Sequence, residues 1–248
     1  YPLVMLLQVG AAWSVMGLLN LPPHWISPLL LPIAVFWWFA VSKLTSDVRW
    51  LEAYRTGALA LIVAVVGLSL FLRGNAFVSP FSTSLTLILG GVLLLSMMGR
   101  DTLLAAHGGV WMIGGGWIVF YFDWLDDTGS FGLWLALMAT AALLIERVWT
   151  TIHKRKGKGE NTLVEALTGW ALADLALGLT VLILLWTARN IDAAPPLVMT
   201  ITLMVTCGLW IAAGLIYRLP ALLYAALFIL PLPYALLLTY LIPSLWSL

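Results

Sequence analysis

Long apolar segments follow one another along this chain with only short polar connections between them. Of its 248 residues, 62% are hydrophobic and 9% are charged, whereas a soluble domain has about 25% charged residues. A bilayer core about 30 Å thick requires roughly 20 apolar residues in each spanning helix, and segments of this kind recur along the sequence. A membrane β-barrel would instead alternate apolar and polar residues in segments of about ten. The sequence therefore predicts an all-α, polytopic transmembrane helical bundle.

Proline, glycine and charged residues divide the chain into about nine predicted spans. Their predicted limits are residues 3–19, 28–42, 54–72, 80–98, 102–122, 131–148, 163–187, 196–217 and 219–247. The last span contains Pro220, Pro231, Pro233 and Pro243, so we expect it to kink or split, and a count of eight spans stays open. We expect one domain over residues 1–248, built from an initial helix and four helical hairpins.

The connection after the sixth predicted span carries the densest positive charge, TIHKRKGKGEN at residues 151–161. If the 149–162 loop faces the cytoplasm, ten of the twelve Lys and Arg residues share that side, and only Arg73 and Arg189 fall on the other. Cytoplasmic connections of membrane proteins are enriched in Lys and Arg. We therefore predict a bacterial cytoplasmic membrane protein with residues 149–162 inside the cell. Binding of anionic lipid headgroups by this run could coexist with that anchoring role.

Each predicted cytoplasmic turn carries an arginine, in AYR at 53–55, GRD at 99–101, ERV at 146–148 and YRL at 217–219. Together with the hairpin arrangement and the run LLAAHGGVWMIGGGWIVFYFDW, this pattern resembles large bacterial multi-pass families that are known only as predicted membrane proteins of unknown function. The resemblance covers the third to sixth spans and implies an array of helices, without transferring any catalytic residue. Because such arrays are usually longer and the chain starts at Tyr1, we expect it to be part of a longer product.

Asp174, in WALADLALGL, is an ionisable residue in the middle of a predicted span. Such residues are costly in a bilayer and are functional candidates for that reason. An aspartate at this depth could carry a proton or bind a cation. The structural alternative is a buried, neutral or hydrogen-bonded carboxyl that ties its helix to a neighbour. We favour the structural role because no Lys or Arg lies at a similar depth.

His107 is the other such residue away from the ends of a predicted span, and it is followed by Gly108 and Gly109. A second pair, Gly115 and Gly116, recurs seven residues later on nearly the same helix face. Small residues allow two helix backbones to approach closely, so we expect these four glycines to pack against another helix, with Gly90 and Gly91 of the preceding span as partners. A single histidine could also ligate a chlorophyll-type pigment, with the glycines making room for the macrocycle.

Three aspartates, Asp123, Asp126 and Asp127, form a cluster on the predicted outer side. Clustered carboxylates can bind Mg²⁺ or a diphosphate, but a single cluster outside the cell favours a solvated turn. The single cysteine, Cys207, excludes an internal disulfide within this chain, and a buried small side chain is its expected role. The sequence contains no nucleophile-elbow, zincin, P-loop or C-x-x-C motif, and no catalytic residue or protein-bound metal is predicted.

These observations favour a non-enzymatic integral membrane protein, an accessory or scaffolding subunit of a larger membrane assembly. Its expected partners are membrane lipids and other membrane protein subunits, and the formal net charge of +1 gives no indication of nucleic-acid binding. The alternative is a proton-linked or small-solute transporter centred on Asp174. Further alternatives are a pigment-binding subunit that uses His107 and a membrane enzyme that acts on a lipid-linked substrate at the aspartate cluster.

Overall fold

The computed structural model of the protein describes residues 2–21, 25–40, 43, 47–71, 73, 80–97, 103–125, 127–155, 162–191 and 193–242. All regular structure among these residues is helical. The α-helices in chain order are α1 (Pro2–Leu18), α2 (Ile26–Val35), α3 (Val48–Phe71), α4 (Pro80–Ser96), α5 (Leu103–Trp124), α6 (Phe131–Arg155), α7 (Thr162–Arg189), α8 (Pro196–Tyr217), α9 (Pro220–Ile229) and α10 (Pro231–Leu241). A π-helical segment, Phe36–Ala40, continues α2.

Five helical segments are long and apolar enough to cross a membrane. They are Val48–Phe71, Phe131–Ile152, Thr168–Arg189, Pro196–Tyr217 and Pro220–Leu241. Large apolar side chains on these segments are exposed, including Phe71 at 83% and Phe228 at 86%, as expected where lipid takes the place of water. The predicted all-helical membrane class is therefore confirmed, while nine crossings stay a prediction.

The chain forms two compact units, Tyr1–Trp124 and Leu125–Leu248. In the first unit, α4 and α5 pack along each other through glycines, and Ile62, Val65 and Leu87 belong to the buried core. At the end of α5, the Asp123 carboxylate is paired with Arg73, which follows α3, at 2.9 Å. This ion pair shows that the C-terminal ends of α3 and α5 lie at the same end of the unit, as alternating spans require.

In the second unit, α6 packs along α7, and α8 contacts α6, α9 and α10. Gly132 of α6 leaves room for the ring of Trp186, whose Nε1 donates a hydrogen bond to the Thr128 carbonyl at 3.1 Å. Further along the unit, Trp210 Nε1 of α8 donates to Thr180 Oγ1 of α7 at 2.8 Å. Both indole N–H groups therefore have acceptors, which removes the cost of burying an unpaired donor.

Two helices extend beyond their predicted limits. The sixth predicted span ends at 148, but α6 continues to Arg155, so the first five residues of the basic run, TIHKR, are helical. The remaining basic residues, 156–161, lie outside the described part of the chain. The third predicted span begins at 54, whereas α3 begins at Val48 because Asp47 Oδ1 accepts a hydrogen bond from the Arg49 N–H at 2.9 Å. A polar cap residue, which hydropathy does not weigh, set this start.

The last predicted span is interrupted at Leu230, where α9 ends at Ile229 and α10 begins at Pro231. Leu230 keeps a right-handed helical conformation, and its N–H donates to the Ala226 carbonyl, so the two helices form one apolar segment from Pro220 to Leu241. Proline has no N–H to continue the helical hydrogen bonds, and its ring hinders the preceding turn. The predicted continuation to residue 247, including Pro243, lies outside the described residues from 243 onward.

Candidate functional site

Asp174 lies in the middle part of α7, about 18 Å from the start of this helix at 1.5 Å per residue. Its side chain is exposed on the second unit. The buried side of α7 is formed by small and aliphatic residues that include Ala171, Leu175 and Leu179. The predicted burial of Asp174 is therefore wrong, because the neighbouring helices α6 and α8 cover the opposite side of α7.

Around Asp174, the exposed side of α7 is apolar. Trp170 is 63% exposed, Val181 54% and Leu185 63%. At about 100° per residue, these three side chains and Asp174 fall within an arc of about 60°. We call these four residues the Asp174 face. The Asp174 carboxyl is therefore the one charged group in an otherwise apolar, outward-facing stripe of described residues.

His107 is partly buried in α5, and the space beside it is filled by α4. A Cβ atom added at Gly109 would lie 2.9 Å from the Gly91 carbonyl oxygen, and one added at Gly91 would lie 2.5 Å from the Gly109 carbonyl oxygen. A Cβ at Gly108 would approach Leu94 Cδ2 to 3.2 Å. The room that these glycines create next to His107 is thus occupied by another helix and is not open to a macrocycle.

The two glycines of the second pair differ in how closely they approach α4. A Cβ atom added at Gly116 would lie 2.9 Å from the Ser84 carbonyl oxygen, so this backbone also approaches α4 closely. Gly115 has no neighbouring atom within 4 Å of its added Cβ. The predicted helix-packing set therefore separates into three close contacts and one open position, because adjacent helical residues point about 100° apart.

The two described aspartates of the predicted cluster, Asp123 and Asp127, are used for local structure. Asp123 pairs with Arg73, while Asp127 accepts hydrogen bonds from the Gly129 N–H at 2.9 Å and from the Ser130 hydroxyl. The bond from Ser130, and to a smaller extent that from Gly129, lowers the pKa of Asp127 below its usual value. Asp126 lies outside the described residues. Asp123 and Asp127 thus have separate roles in an ion pair and a turn, and the described residues contain no group of three or more potential metal ligands.

A buried carboxylate that the sequence analysis did not select lies towards the C-terminal end of α6. Glu146 is 5% exposed. Its Oε1 accepts a hydrogen bond from the Thr150 hydroxyl at 2.8 Å, and its Oε2 accepts one from the Tyr217 hydroxyl of α8 at 2.9 Å. Arg147 Nε lies 2.9 Å from the same Oε2 and forms an ion pair with it. The geometry of this contact is not that of a hydrogen bond. We call Glu146, Arg147, Thr150 and Tyr217 the Glu146 cluster.

Within this cluster, the Arg147 guanidinium lies over the ring of Tyr217, 4.9 Å from the ring centre. Glu146 is therefore compensated by charge and by two hydroxyl donors, as a buried carboxylate requires. The cluster joins α6 to α8 and fixes the orientation of Arg147. Its members occur in the ERV and YRL turns, but counting arginines for topology gave no information about the carboxylate and the phenol beside them.

Cys207 is buried, and its thiol lies 3.7 Å from the Ala226 carbonyl oxygen. It packs with Trp210 and Ala226 at the contact of α8 with α9.

Comparison with known proteins does not add a functional assignment. No protein-family model matches the sequence, and neither a curated protein nor a solved structure is significantly similar to it. The Asp174 face and the Glu146 cluster are therefore the features of the molecule from which a function can be proposed.

Proposed function

We propose that this protein is a non-enzymatic integral membrane protein that serves as an accessory or scaffolding subunit of a larger membrane assembly. The observation that carries the proposal is the exposed position of Asp174 within the apolar Asp174 face. The proposed location is the bacterial cytoplasmic membrane, supported by the apolar helices and by the distribution of Lys and Arg. The proposed partners are lipids and other membrane protein subunits.

Placing this residue against lipid is energetically costly. An aspartate at the centre of a spanning helix disfavours insertion by about 2.5–3.5 kcal/mol, and this value is an upper limit for Asp174, which is six residues from the start of the Thr168–Arg189 span. A neighbouring transmembrane helix that covers the Asp174 face would shield this carboxyl from lipid and so remove part of this cost. The apolar residues of the Asp174 face would then pack against that helix through van der Waals contacts, which drive association within a bilayer.

The alternative function is a proton-linked or small-solute transporter centred on Asp174. An exposed carboxyl is accessible to protons if water reaches it, and this observation favours that alternative over the other two. A transporter site usually combines polar groups from several broken helices, whereas Trp170, Val181 and Leu185 surround Asp174 with apolar surface. Pigment binding through His107 is a weaker proposal because α4 packs against the adjacent glycines. An enzyme site is weaker still, because Asp123 and Asp127 are engaged separately.

The experiment compares the size of the complex that forms in native membranes after mild detergent extraction. Wild type and Asp174→Asn should migrate in one discrete assembly, since the amide keeps an acceptor oxygen and nearly the same shape. Asp174→Leu removes the acceptor and should release the chain from the assembly. Asp127→Asn, at an exposed aspartate in a turn, is the matched control and should behave as wild type.

The transporter alternative is tested with the same variants in liposomes that contain a pH-sensitive dye. Under our proposal, wild type and Asp174→Asn give the same flux as empty liposomes. Proton flux in the wild type that Asp174→Asn abolishes would overturn the accessory role in favour of transport, because a side-chain amide does not take up and release a proton as a carboxyl does.

A further inference from the structure

The Glu146 cluster presents an oriented guanidinium at one end of the second unit. The Arg147 side chain is 36% exposed, although its Glu146 partner is 6% exposed. The contact with Glu146 is made through Nε, so it does not use the four N–H groups on the two Nη atoms. The guanidinium also lies over the face of the Tyr217 ring. Arg147 is therefore held by Glu146 and Tyr217 while about a third of its side chain stays accessible.

The guanidinium lies near the ends of two helices that are long and apolar enough to span a membrane. Tyr217 is the last residue of the Pro196–Tyr217 span, and Arg147 stacks on its ring. The Arg147 backbone is about 8 Å inside the end of the Phe131–Ile152 span. A long arginine side chain can cover such a distance and place its charge at the interface. The charged group is thus at the level of the span ends and not in the apolar centre.

A second arginine adjoins the same place. Arg218 directly follows Tyr217, is exposed, and has a left-handed backbone conformation with φ 56° that ends α8. Arg147, Arg218 and the buried Glu146 together carry a formal net positive charge of one. Arginine binds phosphate oxygens through paired N–H groups, and basic sites at the ends of membrane helices bind anionic headgroups.

We propose that Arg147 and Arg218 bind a phosphate group, and that its source is the headgroup of an anionic membrane lipid. Glu146 and Tyr217 act as positioning residues that hold Arg147 in the binding orientation. This proposal does not depend on the accessory function, because it concerns a different surface from the Asp174 face. The shared phosphate chemistry would also accept free phosphate, and the experiment separates the two sources.

The experiment measures the thermal unfolding of the purified full chain in a neutral detergent by intrinsic tryptophan fluorescence. Short-chain phosphatidylglycerol, phosphatidylcholine and inorganic phosphate are titrated separately. Phosphatidylglycerol should raise the unfolding temperature with saturation, whereas the other two should have little effect. Arg218→Gln should weaken the apparent affinity about fivefold, the effect of one arginine near an anionic surface, and Arg147→Gln should weaken it by more.

Removing Arg147 alone leaves Glu146 without its counter-charge, so Arg147→Gln could fail to fold. The Glu146→Gln/Arg147→Gln double variant keeps an acceptor for Tyr217 without either charge, and it should fold and lose lipid binding. Arg73→Gln is the matched control, because Arg73 also pairs with a carboxylate at 2.9 Å and is 34% exposed, but at the end of the first unit. This control should keep the wild-type affinity.

Several results would overturn the inference. Equal stabilisation by phosphatidylcholine would show that the charge of the headgroup is not recognised. An equal effect of inorganic phosphate would replace the lipid by a soluble phosphate as the ligand. Unchanged phosphatidylglycerol affinity in both Arg218→Gln and the double variant would remove these two arginines from any phosphate site.

Discussion

Glu146 illustrates how this protein accommodates a buried charge at the scale of single residues. Two hydroxyl donors and one guanidinium surround its carboxylate, so the desolvation penalty is offset by interactions that a bilayer would not supply. One donor comes from α8, which makes this carboxylate a contact between helices. The same contact orients Arg147 for the phosphate site inferred above.

The hydroxyl of Tyr217 is expected to be the most sensitive part of this cluster. Tyr217→Phe keeps the ring under Arg147 but leaves Glu146 Oε2 without a hydroxyl donor. Hydrogen bonds to charged groups contribute about 1.5–3 kcal/mol, and we expect Tyr217→Phe to lower the free energy of unfolding by this amount. Chemical unfolding in detergent measures the difference. Tyr224→Phe, at a 72% exposed side chain, should have no effect, and equal stability of the two variants would contradict the role of Tyr217.

Sequence reasoning at the residue scale identified which side chains are costly, but not which way they point. Asp174 was selected by its place in an apolar segment, and its predicted burial was wrong because hydropathy does not tell which side of α7 its neighbours cover. The sequence does not single out Glu146, because it precedes an arginine near a predicted span end, where charged residues are common. A tertiary contact, the hydroxyl of Tyr217, gives this carboxylate its distinct role.

At the scale of elements, close packing of α4 and α5 depends on which glycine faces the partner helix. The Gly91 and Gly109 backbones approach each other so closely that a Cβ at either would meet a carbonyl oxygen of the other within 2.9 Å. Backbone atoms cannot move aside as a flexible side chain can. The paired glycines in the sequence indicated this contact, while the open position of Gly115 required the rotational setting of α5.

Alanine substitutions in α5 should separate these two kinds of glycine. Gly109→Ala forces α4 and α5 apart, and such overpacking typically costs about 1–3 kcal/mol. Gly115→Ala adds a methyl group to open space and should be neutral or stabilise α5 by up to about 1 kcal/mol, because alanine favours helix more than glycine does. Thermal unfolding in detergent compares the two variants. A lower unfolding temperature for Gly115→Ala than for Gly109→Ala would contradict this arrangement.

At the scale of the whole molecule, alternating helices bring interacting polar side chains together at the helix ends within each unit. Arg73 and Asp123 meet at one end of the first unit, and Glu146 and Tyr217 meet at one end of the second. The apolar composition predicted the helical class. The prolines predicted the interruption of the last span, because proline cannot continue the helical hydrogen bonds. The orientation of the chain across the membrane cannot be read from the fold, and its prediction depends on the distribution of Lys and Arg.

Orientation can be measured with single cysteines in a chain that carries Cys207→Ala. Thr128→Cys lies in the turn after Asp127, and Lys156→Cys lies in the basic run. An impermeant thiol reagent added to intact cells should label the first and spare the second, which should react only after the membrane is opened. Labelling of both from outside would contradict the predicted topology, and the reverse pattern would invert it.

The central claim, that the Asp174 face contacts another membrane protein, is tested most directly by crosslinking from this face in living cells. A photoreactive amino acid at Val181 should give one discrete crosslinked protein, while the same probe at Leu137, which is 56% exposed on α6, should not. The product should persist with Asp174→Asn and disappear with Asp174→Leu. Crosslinking from Val181 to lipid alone, or a product that is unchanged by Asp174→Leu, would contradict the account.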